Sequence, residues 1–288
     1  MTYAIIAILA ILLGFYFYRG YKNTHSVAIN HIKIDNPDSP TNHSSFRILH
    51  ISDLHLENIS ITPERLYQDL KNKPIDLIAL TGDFLDRKRT IPKLAPYLDA
   101  LNKLNPVYGS YAIFGNHDYV LRHKHFNELK DLLNDRGFKT MQNEHEQIVV
   151  DGKALNIIGI DDASTNRSDL EKSYDGLKPG YNLVLTHDPN LVLDMPNYHF
   201  DYLLSGHFHG GQIYWPKPYH LVKMGKLVRM NMVKGLHYHN GRPFYISEGL
   251  GQTAVNIRIG SRPEITYHDI QLDAAEEKEN NMNDSIAG

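Results

Sequence analysis

Apolar residues fall along the chain in short blocks between polar turns, after one long block near the start. Positions 3–18 read YAIIAILAILLGFYFY without a charge. A run that is apolar on every side has no stripe with which to face a core. Counted with Met1 and Thr2, it reaches the lower length of a bilayer-spanning helix. Tyr16 and Tyr18 stand where an interfacial aromatic belt would fall, and Arg19 and Lys22 follow. A cleavable signal peptide wants cations before the apolar run and a small-residue cleavage site after it, and neither is present. Residues 1–22 are therefore expected to form an uncleaved transmembrane anchor. Lys and Arg lie only after the span, which predicts a cytoplasmic catalytic domain.

Residues 23–45 are polar, contain Pro37 and Pro40, and read as a connector. Within them, 27–34 alternates like an edge strand. Three blocks then read as buried strands: 46–51 (FRILHI), 75–80 (IDLIAL) and 107–114. Helical spacing covers 62–71, 92–104 and 125–136. Thr62 is the expected N-cap of the first, with Pro63 at its first position, and Gly137 closes the last. The second half is strand-rich, at 147–150, 155–160, 183–185, 202–204, 244–246 and 264–272. Such a pattern predicts an α/β domain over 46–273, a four-layer α-β-β-α sandwich of two packed mixed sheets with helices outside. Residues 274–288 have too little apolar content to pack and read as a disordered acidic tail.

Composition narrows the chemistry. Of 288 residues, 42% are hydrophobic, enough for a sizeable core. Net charge is -3, so nothing favours a general nucleic-acid binder. The absence of Cys excludes disulfides, thiolate metal sites, Cys nucleophiles and iron–sulfur clusters. Any metal must be held by nitrogen and oxygen, and His, at 17 residues, is abundant.

The polar clusters share one kind of address, just past an apolar strand. Asp53 and His55 follow FRILHI, and Asp83 follows IDLIAL. Asn116, His117 and Asp118 follow YAIF. His187 follows NLVL, and His207 and His209 follow DYLL. In layered α/β folds the carboxyl ends of strands form one rim, where sites are built. A lone D-x-H or N-H-D says little. Five such clusters at five strand ends point to one locus. The donors exceed the three or four ligands of a single zinc ion. The surplus fits two cations sharing a carboxylate, about 3.5–4 Å apart. Asp118, next to His117, is placed in sequence to orient that ring.

ISDLHL, TGDFLD, GNHD, LTHDP and SGHFHGGQ together resemble the signature of calcineurin-like metallophosphoesterases. The segment ISEGLGQTAVNIRIGSRPEI is similar to the bacterial membrane-associated or exported branch. The likeness runs over about 46–272. It implies that Asp53, His55 and His209 hold one divalent metal and that Asn116, His187 and His207 hold the other, with Asp83 bridging. The metals implied are Mn, Fe or Zn. It also implies in-line attack of a metal-bridging hydroxide on a phosphodiester or pyrophosphate, with His117 protonating the leaving oxygen. Phe208 departs from the family, which more often has Thr between the two His, and could narrow the pocket.

Substrate signals are coarser. Arg87, Lys88 and Arg89 leave one motif and Arg122, His123 and Lys124 another, so they could receive a second phosphate. An aromatic, Pro-stiffened stretch at 214–222 follows the His pair and could line a pocket or touch the membrane. Anchor, cations and aromatics suggest an amphiphilic phosphate ester, lipid-linked or nucleotide-linked. Two other classes compete. A mononuclear iron oxygenase would leave Asp83, Asn116 and half the His without a task. A non-catalytic scaffold on the same fold should have lost ligands, and none is missing.

Overall fold

The computed structural model describes residues 2–34, 45–214 and 217–272. The expected tail, positions 35–44 of the connector, and Trp215 and Pro216 lie outside the described residues. Two six-stranded mixed sheets pack face to face. The first contains β1 (Ala28–Ile34), β2 (Phe46–Ile51), β3 (Leu77–Thr81), β4 (Ser110–Ile113), β5 (Phe138–Thr140) and β12 (Glu264–Ile270). Their order is β1-β12-β2-β3-β4-β5. The second contains β6 (Glu144–Val150), β7 (Lys153–Gly159), β8 (Tyr181–Leu185), β9 (Tyr202–Ser205), β10 (Gly235–His239) and β11 (Arg242–Ile246). Their order is β10-β11-β9-β8-β7-β6.

β2 to β5 run parallel, as do β7, β8, β9 and β11. Parallel strands covered on both faces read as continuous apolar runs, which is why FRILHI and IDLIAL lack alternation. The alternating piece after the first apolar run is β1, an edge strand parallel to β12 with Ala28 opposite Glu264.

Between the sheets lies a core of Ile48, Leu77, Ile113, Ile157, Leu183, Leu204 and Tyr245, among others. Against the outer face of the first sheet pack α2 (Pro63–Leu70), α3 (Ile91–Asn102) and α4 (His123–Asp135). Thr62 caps α2, its hydroxyl accepting from the Arg65 amide at 3.2 Å. Short helical turns, including α5 (Leu170–Tyr174) and α6 (Lys226–Arg229), cover the other outer face. The four-layer sandwich is therefore present.

α1 (Thr2–Asn23) precedes the sandwich and is long and apolar enough to cross a membrane. Of its described residues only Gly20 is buried. There the last turn docks on the segment 257–259. The Arg258 amide donates to Gly20 O at 2.9 Å, and Asn23 Nδ2 returns a bond to Arg258 O at 2.9 Å. A Cβ on Gly20 would lie 3.2 Å from Ile257 and 3.3 Å from Ile259.

Candidate metal centre

The loops after β2, β3, β4, β8 and β9 meet at one rim. The first sheet delivers Asp53, His55, Asp83, Asn116 and His117, and the second delivers His187, His207 and His209. Asp53, His55, Asp83, His207 and His209 all have positive φ, between 38° and 77°. Ordinary side chains avoid that region, and its clustering marks a site whose geometry is imposed by its surroundings. Two glycines make the approach possible. A Cβ at Gly206 would lie 2.2 Å from Asp53 Oδ2, and one at Gly115 would lie 2.2 Å from Asp83 Oδ1.

Asp83 sits between the two halves of the cluster. Its Oδ2 is 3.0 Å from His187 Nε2 and 3.6 Å from His55 Nε2. Its Oδ1 accepts from the His117 amide at 2.8 Å. On one side, Asp53, His55 and His209 present donor atoms mutually within 4.8 Å, and on the other Asp83, His187 and His207 do the same. His209 Nε2 is 3.3 Å from Asp53 Oδ1 and 3.1 Å from His55 Nε2. His207 Nδ1 is 3.2 Å from His187 Nε2. A third overlapping group joins His117 to His55 and Asp83.

These contacts suit divalent cations. His55 Nδ1 faces the Asp86 carboxylate at 3.1 Å, and His187 Nδ1 faces Thr81 O at 2.7 Å. Each acceptor holds a proton on Nδ1 and leaves Nε2 of the neutral ring bare toward the cluster. Asn116 Oδ1 is buried and has no hydrogen-bond partner, an arrangement that costs stability unless a cation or donor meets it. Burial opposes charge on His187, yet Asp83 lifts its pKa well above the usual value, so its Nε2 takes a proton that a bound cation would have to displace. Burial and the positive charge of His187 push His207 down to about 3, and burial also pushes His209 well down. Neutral imidazoles are the state that binds metal.

Two sequence expectations come out differently. Asp118 does not orient His117. Its carboxylate accepts from the amides of Asp83, Phe84 and Gly115, each at 2.9 Å, and so ties two strand-end loops together. His117 is held instead by Asp86, whose Oδ1 lies 2.9 Å from its Nδ1. The readable signal was the second Asp of TGDFLD, three residues past Asp83. Phe208 does not narrow a pocket, because it is fully buried in the outer core of the second sheet.

Arg258 was also missed. It is fully buried, and its guanidinium donates to the carbonyls of His209, Glu248, Gly249, Gly251 and Arg262. The loop it gathers supports the Asp53 loop through the Leu250 amide on Ser52 O and the Gly251 amide on Asp53 O, at 2.9 and 2.7 Å. The cationic runs at 87–89 and 122–124 are exposed. In the stretch 214–222, Tyr214 and Leu221 pack into the outer core, while Val222 is exposed.

Comparison with known proteins supplies the family. The family model described as calcineurin-like phosphoesterase matches residues 46–211. The uncharacterized metallophosphoesterase YkoQ of Bacillus subtilis (strain 168) is 63% identical over 269 residues, 93% of this chain and 100% of that protein. Phosphodiesterase YaeI of Escherichia coli (strain K12) is 26% identical over 231 residues, 78% of this chain and 82% of that protein. UDP-2,3-diacylglucosamine pyrophosphatase LpxG of Chlamydia muridarum (strain MoPn / Nigg) is 27% identical over 275 residues, 76% of this chain and 82% of that protein. The match takes in four of the five strand ends completely and runs through both His of the last, so the chain belongs to the calcineurin-like phosphoesterases.

Proposed function

We propose that the protein is a two-metal phosphoesterase, anchored in a membrane by α1, that hydrolyses a phosphodiester or pyrophosphate of an amphiphilic substrate. The observation that carries this reading is the placing of the Asp83 carboxylate within 3.0 Å of His187 and 3.6 Å of His55. Asp53, His55 and His209 would hold one divalent cation, and Asn116, His187 and His207 the other, with Asp83 shared. Cations so held supply Lewis-acid neutralisation of the phosphoryl oxygens and acidify water.

The chain's own acid is His117. Asp86 fixes its Nδ1, which leaves Nε2 to carry the transferable proton. Burial disfavours its charge, but the hydrogen bond to Asp86 and the charges of Asp83 and Asp86 raise His117 to about 9. Cations at the site would lower that value, and Asp86 opposes loss of the proton from the ring. The oxygen of a water adds to phosphorus as the bond to the leaving oxygen breaks. The leaving oxygen takes the His117 proton, and the proton shed by the water returns to His117 through solvent. The exposed cations at 87–89 and 122–124 support binding of an anionic headgroup or second phosphate.

The amphiphilic assignment draws on α1 and on the lipid-bearing substrate in the name of LpxG. Full-length protein, loaded with Mn, Fe or Zn, is expected to hydrolyse an aryl phosphodiester and to stop on chelation. A panel of lipid-linked and nucleotide diphosphates then ranks substrates. Full activity in Asp83→Ala, or none with any of these metals, overturns the reading.

A further inference from the structure

Where α1 meets the sandwich, a cavity of about 390 Å³ opens between the helix, β1 and the segment 260–262. Arg19, Lys234 and Arg262 line it, against one carboxylate, Glu248. We propose that this cavity binds the phosphate headgroup of an anionic phospholipid, which fixes the height and tilt of the domain on the bilayer. It goes beyond the phosphoesterase reading and rests only on α1 spanning the membrane.

Three observations carry it. The first is depth. Arg19 is the first charge after the apolar run at 3–18, so the cavity sits where a helix leaving the hydrocarbon meets headgroups. The second is unspent charge. Lys234 is occupied, 3.2 Å from Glu248 and 3.1 Å from Gly260 O. Among the described residues, neither Arg19 nor Arg262 has a carboxylate partner. The nearby Glu264 is buried and accepts from Tyr245 Oη and Thr266 Oγ1 at 2.9 and 2.8 Å. Guanidinium groups bind phosphate oxygens in pairs, so two free arginines around one opening fit that ligand. The third is rigidity. The bonds between Gly20, Asn23 and Arg258 hold the helix wall against the 257–262 wall, so the two arginines approach the ligand from preset sides. A lipid enters sideways along α1, a path on which a free ion has no advantage.

The test is lipid retention by the full-length chain. It is released from micelles of mixed phosphatidylglycerol and phosphatidylcholine and weighed by native mass spectrometry. One phosphatidylglycerol per chain is expected to survive. The double variant Arg19→Gln/Arg262→Gln should lose at least about tenfold in retention. Arg19→Lys/Arg262→Lys keeps the charge but not the paired donors, so it should retain lipid at a level between the wild type and the Gln pair, with unchanged thermal unfolding as the control for folding. Lys71→Gln/Lys103→Gln removes the same charge from the C-caps of α2 and α3 and should retain lipid like the wild type. Equal retention of the two lipids, or unchanged retention in the Gln pair, overturns the proposal. Equal loss in the Lys71/Lys103 pair reduces it to general surface charge and overturns it as well. Displacement by inorganic phosphate would mark a free-anion site instead. Extraction of the chain by alkaline wash of membranes separately refutes the span.

Discussion

One oxygen of Asp86 serves two imidazoles, His55 Nδ1 at 3.1 Å and His117 Nδ1 at 2.9 Å. Its removal should therefore damage two functions that His117 alone does not combine. In His117→Gln, metal content is expected to stay intact while turnover of an alkyl ester falls roughly 10²–10⁴-fold, the usual worth of a general acid. A nitrophenyl ester, whose leaving group hardly needs a proton, should lose much less. In Asp86→Asn the same loss should be joined by metal affinity weakened about 10–100-fold, because the support of a ligating His is gone. Metal analysis beside paired aryl and alkyl assays separates the two. If His117→Gln sheds metal, that ring is a ligand. The seven candidate donors and His117 were legible because each stands at or just past an apolar strand. Asp86 was not, since Phe84 and Leu85 intervene and it looks like the polar exit of a turn. Asp118 misled by adjacency. Its side chain turns inward to backbone amides, a choice that sequence neighbours do not reveal.

The docked end of α1 would make the proposed anchor more than a tether. Gly20 is the contact point, and its carbonyl bonds the backbone of Arg258, whose guanidinium holds the His209 carbonyl. Gly20→Leu overpacks that contact and should cost about 1–3 kcal/mol. Thermal unfolding of the detergent-solubilised chain is expected to fall by roughly 2–4 °C for each kcal/mol. Removal of 2–18 alone should leave stability and hydrolysis in place, while removal through Thr24, which is fully buried, should impair both. Equal behaviour of the two truncations would show that the docking is idle. The long elements were readable, α2 down to its Thr62 cap, because each spans enough residues to show a period. β5, β10, α5 and α6 run only 3, 5, 5 and 4 residues and, unlike the equally short β8, β9 and β11, carry no apolar run of three, so tertiary pairing makes them.

At the scale of the whole molecule, the inter-sheet core carries a polar island. His50 on β2 and His268 on β12 lie 5.4 Å apart, facing Thr81, Tyr202 and Tyr245. Burial holds His50 down at about 3 and His268 well below its usual value. Both rings are neutral when folded, so the unfolded chain takes up protons first as pH falls through 6.5, the ordinary His value. Their contribution is complete above that pH and drains away toward about 3. The slope is at most about 1.4 kcal/mol per pH unit for each ring. Urea midpoints between neutral and mildly acidic pH should fall more steeply in the wild type than in His50→Gln/His268→Gln. Parallel curves would contradict the assignment.

The donor set itself straddles a seam. Asp53, His55, Asp83 and Asn116 ride on one sheet, and His187, His207 and His209 on the other. Each proposed cation is thus a rivet through both plates of the sandwich, and its affinity gauges how well the plates are seated. Leu183 lies in the seam and Leu94 on the inward face of the outer helix α3, both fully buried. Truncation of either to Ala should cost about 2–5 kcal/mol of stability. Only Leu183→Ala, by letting one plate slide against the other, is expected to loosen the metals, as a chelator titration of the folded protein would read.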